Sequence, residues 1–69
     1  IVRNEEEEAL RRAVLALPEP LQYVVTAHYW AGVSVADIAA HESVTTVAIR
    51  KRLAKALDQI ETALRKERS

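Results

Sequence analysis

The 69-residue chain has no cysteine, no phenylalanine, no methionine, one glycine and two prolines. Without cysteine there is no disulfide and no thiolate metal site. With one glycine there is no Gly-rich phosphate loop, and the turn residues that a small β-sandwich consumes are missing. No run approaches the ~18 apolar residues of a membrane-spanning helix, and no stretch resembles a signal peptide. These absences fit a reducing, cytoplasmic setting with no membrane partner. The net charge is also zero, which on its face argues against a polyanionic partner.

What is present is Ala, Val and Leu. Apolar residues make up 49% of the chain and charged ones 29%, a balance that favours helices over a disordered tail. A single domain of this size buries only about 60% of its unfolded surface, so a deep catalytic pocket is not expected. The class expected is all-α. The chain enters a helical pattern almost at once after Ile1, so residues 1–69 read as one domain cut from a longer chain.

The charges are sorted along the chain. Residues 1–44 carry seven acids (Glu5, Glu6, Glu7, Glu8, Glu19, Asp37, Glu42) against Arg3, Arg11 and Arg12. Residues 45–69 carry seven bases (Arg50, Lys51, Arg52, Lys55, Arg65, Lys66, Arg68) against Asp58, Glu61 and Glu67. The basic half can face phosphate with the acidic half turned away, but so modest an excess gives weak non-specific binding.

Four helices are expected, at about 5–17, 19–31, 35–42 and 45–67. The first has acids at its positive end, Glu7/Arg11 and Glu8/Arg12 four apart, and a Leu10, Val14, Leu17 stripe, with Pro18 as its stop. The second starts at Glu19 or Pro20, buries Leu21, Val24, Val25 and Tyr29, and takes Gly32 as a left-handed cap. Ser34 and Asp37 make a capping box for the third, whose Ile38 and Ala39 face inward.

On the fourth helix, 100° per residue with Val47 at zero puts Ile49, Leu53, Ala56, Leu57, Ile60 and Leu64 between about 180° and 280°. Arg50, Lys51 and Ala54 fall within about 60° of Val47, on the opposite side. Thr45 is the expected N-cap, and no acid lies in the first turn behind it, which leaves the positive helix end open to a phosphate. Residues 34–57 thus have the layout of a helix-turn-helix whose second helix presents a basic face.

Other residues carry weaker signals. His28 and His41 sit on different expected helices with no clustered carboxylate, so no metal or cofactor is implied, and both read as surface residues, or as a helix-end cation in the case of His41. Tyr23, Tyr29 and Trp30 read as core or core rim rather than as a base-stacking platform. The Glu5–Glu8 run reads as a solvated first turn. No spacing suggests a nucleophile, a base and an orienting group, so the chain is not read as an enzyme.

Leu17-Pro18-Glu19, Tyr29-Trp30, Gly32-Val33-Ser34, Ile38-Ala39, Val44-Thr45, Ile49-Arg50, Arg52-Leu53 and Lys55-Ala56-Leu57 occur in an order that resembles region four of bacterial sigma factors, particularly the extracytoplasmic-function type. The resemblance spans residues 16–57. It implies a four-helix helix-turn-helix domain, winged-helix-like but without a wing, with a long C-terminal recognition helix. It also implies binding of duplex DNA at the promoter −35 element, docking on the flap of RNA polymerase core, and an anti-sigma factor as a possible further partner. Carried over residue by residue, the DNA-facing set is Thr45, Thr46, Val47, Arg50, Lys51 and Ala54, with Arg52 and Lys55 on the flank. Arg50 and Lys51 are the candidates for base or phosphate contacts, Thr45 and Thr46 for phosphate.

Two positions depart from the family pattern. The turn glycine is Ser43, which at positive φ costs roughly 1 kcal/mol unless the turn is reshaped, and the position before it, often Leu, is Glu42. Two other readings of the same helices stay open. One is a protein-interaction module docking on polymerase or an anti-sigma factor, for which Ile60 and Leu64 would offer surface if they do not pack on Leu10 and Val14. The other is the DNA-binding part of a one-component regulator.

Overall fold

The computed structural model describes residues 4–68, which form helices and no strand. The helices are α1 (Glu5–Leu15), α2 (Glu19–Val25, continued by a π turn over Thr26–Trp30), α3 (Val35–Glu42) and α4 (Thr46–Arg68).

Asn4 caps α1: its backbone is extended and its Oδ1 accepts the Glu6 N–H at 2.9 Å. Four glutamates then fill the first turn, where carboxylates meet the positive helix end. α1 stops at Leu15, two residues short of the expected end. The Ala16 N–H still donates to Arg12 O, but that of Leu17 donates to Val14 O in a tighter final turn. Pro18 disfavours α backbone at the residue before it, so the helix closes ahead of Leu17.

The single helix expected over 19–31 is corrected. After Val25 the chain widens, and the Ala31 N–H donates to Thr26 O five residues back at 3.0 Å. Gly32 then turns left-handed at φ 72°, which lets the Val33 N–H reach Ala27 O at 2.9 Å. His28 braces this end and is half-buried, not a surface residue as expected. Its Nδ1 lies 2.9 Å from Val33 O, and since a carbonyl only accepts, Nδ1 carries the proton and donates. The aromatic expectations also fail. Ala27 takes the inward place in the π turn, while Tyr29 and Trp30 are 54% and 58% exposed. Tyr23 is exposed as well, tilted against His41 of α3 with 6.3 Å between ring centroids.

The buried core is built only from small and medium aliphatics, with no buried polar group among the described residues. Ala13 and Val14 come from α1, Leu17 from the turn after it, Leu21, Val24, Val25 and Ala27 from α2 and its π turn, and Ile38 and Ala39 from α3. Ile49, Leu53, Ala56 and Ile60 come from α4, which packs against all three other helices. The Cα envelope measures 38 × 26 × 14 Å, so the core is one layer thick. Ile60 is buried in the core, while Leu64 packs partly buried against it and, with Leu10, lines a groove between α1 and α4. Leu57 is corrected the other way. At about 280° it lies at the edge of the apolar arc whose buried members cluster at about 180–240°, and it is 44% exposed.

Candidate nucleic-acid interface

The interface is assembled from α3, a three-residue turn and the first turns of α4. Ser34 starts α3, its Oγ accepting the Asp37 N–H at 3.1 Å. The return bond of a full capping box is not formed among the described residues; Asp37 is one methylene shorter than the usual glutamate at that place.

α3 ends at Glu42 and is capped by Ser43, which is left-handed at φ 58°, ψ 41°. The Val44 N–H donates to Ala39 O at 3.0 Å and the Ser43 N–H to Ala40 O at 3.3 Å, the paired bonds of a Schellman turn. Val44 then packs half-buried on the core that Ala39 belongs to, the apolar contact that accompanies such a turn. Serine therefore does occupy the conformation that favours glycine, and the turn keeps its shape at the cost of local strain.

Thr45 caps α4 as expected. Its Oγ1 accepts the Ala48 N–H at 3.1 Å and its carbonyl accepts the Ile49 N–H at 3.2 Å. The hydroxyl proton stays available for a donor bond outward, so capping and holding a phosphate oxygen are compatible. The first turn of α4 contains no acid.

The eight sequence-derived residues divide into seven and one. Thr45, Thr46, Val47, Arg50, Lys51, Ala54 and Lys55 are all exposed, with Val47 at 57% amid the basic residues. Ile49 and Leu53, two residues beyond Val47 and Lys51, are buried on the other side. Arg52 stands apart. It is half-buried, and its guanidinium Nη1 lies 3.6 Å from a carboxylate oxygen of Glu42, the last residue of α3.

The basic face is also short. Asp58 and Glu61, at about 20° and −40° on the same wheel, return acid to the side that carries Val47. Both are exposed, and Glu61 is paired with Arg65 one turn on. The part of this face free of acid is thus confined to residues 45–55.

Sequence reasoning missed the Glu42–Arg52 contact, although opposite charges flanking a helix-helix turn were its available signal. It also missed a groove between α1 and α2 lined by Leu10, Val14, Leu15, Gln22 and Trp30, for which no pattern in the sequence announces an outward tryptophan. No group of three or more potential metal ligands occurs among the described residues. No helix there is long and apolar enough to cross a membrane.

A family model described as Sigma-70, region 4, matches residues 7–60. That span takes in every buried core residue and the whole of the candidate interface. No curated protein and no solved structure matches the chain. With most of its length matched by the model, the chain belongs to the Sigma-70, region 4 family, a family of DNA-binding domains in promoter recognition.

Proposed function

We propose that this domain reads the promoter −35 element as the C-terminal domain of an extracytoplasmic-function sigma factor, with α4 entering the major groove. The observation that carries the reading is the shared exposure of Val47, Arg50, Lys51, Ala54 and Lys55 on the side of α4 away from its buried strip, with Thr45 and Thr46 exposed at the N-terminal end of the same helix. Arg50 and Lys51 are the contacts to base edges and nearby phosphates, and an Arg fork on guanine contributes ~1–3 kcal/mol of discrimination. Thr45 and Thr46 hold the phosphates that set register. Val47 and Ala54 let the helix approach closely and touch thymine methyls. No step of this function is catalytic.

The test is a random-sequence duplex selection with the intact parent protein, with and without core RNA polymerase. One motif enriched only with polymerase supports the sigma reading; enrichment without it indicates an autonomous regulator. Arg50→Ala/Lys51→Ala should abolish the enrichment and flatten the salt dependence of DNA binding. DNA affinity unchanged by that double substitution would sink the reading.

A specific observation also favours a protein contact beside the DNA contact. Leu15 and Trp30 are 63% and 58% exposed and line one groove on α1 and the end of α2, a place for docking on polymerase or an anti-sigma factor. Trp30→Ala should weaken assembly with polymerase while leaving duplex binding by the domain unchanged.

A further inference from the structure

Of the four cations between Arg50 and Lys55, three are exposed and one is drawn inward. Arg52 leans toward the end of α3, its guanidinium 3.6 Å from the Glu42 carboxylate, with 33% of the Arg52 side chain and 34% of the Glu42 side chain exposed. Glu42 is well held for that purpose, because the Schellman bonds from Ser43 and Val44 fix the backbone just after it. The carboxylate therefore projects from a rigid helix end against α4, at the inner margin of the basic face.

We propose that Glu42 restrains the sequence-independent part of DNA binding: its carboxylate competes with DNA phosphate for Arg52. The proposal rests on the DNA-binding reading of α4. Contacts to phosphate raise affinity for all sequences alike, whereas contacts to base edges separate one sequence from another. A cation withheld from phosphate lowers binding to every sequence by the same factor and leaves the ratio between sequences, which Arg50 and Lys51 set, unchanged. An ion pair exposed to this degree is worth an occupancy ratio of about 1.5 to 5, and that ratio sets the size of the restraint.

The experiment is a double-substitution cycle on binding to a labelled mixed-sequence DNA duplex, read by fluorescence anisotropy across a salt series. The four proteins are the wild-type chain, Glu42→Gln, Arg52→Gln and the double variant. Helical circular dichroism and the urea midpoint check folding, and Glu42→Ala replaces Glu42→Gln if the latter loses its helical signal. Glu42→Gln should tighten mixed-sequence binding about 1.5- to 5-fold and steepen the salt slope by about one, and Arg52→Gln should erase that gain. An equal gain with and without Arg52 overturns the proposal, because Glu42 would then act by long-range repulsion alone. Duplex binding with no gain in either background overturns it too. Failure of all four proteins to bind duplex at low salt overturns the DNA-binding reading itself, and this proposal with it.

Discussion

The two faces of α4 carry different burdens. On one, Ile49, Leu53, Ala56 and Ile60 are buried against three other helices, and Ile49 and Ala56 have no exposed surface at all. On the other, Val47, Arg50, Lys51, Ala54 and Lys55 touch little but solvent. The difference teaches that folding and the proposed recognition are nearly separable within one helix, a turn apart at most. Four variants and one reciprocal pair test how sharp that separation is.

Ile49→Ala should cost about 2–5 kcal/mol, because it removes a fully buried side chain at the crossing of α4 with the rest of the core. In a single-layer core there is little material to collapse into the space. Urea unfolding followed by circular dichroism reads the loss, which for so small a domain is a large share of its total stability. A loss under about 1 kcal/mol would mean that the inner face of α4 is not the structural centre of the domain.

Thr45 belongs to both faces, and so probes the seam. Thr45→Ala removes the cap on the Ala48 N–H and should cost about 1 kcal/mol. Thr45→Asp keeps a good cap and favours the helix dipole, so stability should stay within about 0.5 kcal/mol of wild type, yet the added charge should repel phosphate and weaken duplex binding. If Thr45→Asp binds DNA as well as wild type does, Thr45 is a cap only.

Much of this division was legible in the residues. The 3.6-residue spacing located the buried strip of α4 and the exposed basic one, and Ser34, Gly32 and Thr45 marked helix ends because each supplies what the backbone lacks there. Leu57 went astray at the rim of the arc, where burial depends on how far a neighbouring helix reaches rather than on period. The π turn at Thr26–Trp30 was illegible for a related reason: a shift from four-residue to five-residue bonding leaves no mark on side-chain type, and the outward Tyr29 and Trp30 came with it. The Glu42–Arg52 pair lies across a turn, beyond any single-helix periodicity.

The turns on either side of α3 sharpen the comparison, since both place a residue in the left-handed region, one with glycine and one without. A Cβ at Gly32 would meet nothing within 4 Å, so Gly32→Ala should cost about 1 kcal/mol through backbone conformation alone. Ser43→Gly should gain about 0.5 kcal/mol, the relief of left-handed strain less the extra freedom of glycine in the unfolded chain. If both changes destabilise, the Ser43 side chain contributes something at the turn that its strain conceals. Matched urea midpoints decide it.

Arg50→Ala/Lys51→Ala should have the smallest effect on folding, within about 0.5 kcal/mol of wild type, even as it removes duplex binding. Both side chains are exposed, so their loss leaves no cavity, and alanine is the better helix former at each position. The double variant therefore isolates the outer face: a native urea midpoint with no DNA binding is the signature of a helix that folds with one side and reads with the other. A drop in midpoint beyond about 1 kcal/mol would instead tie the cations to the fold, and the loss of DNA binding could no longer be assigned to contact.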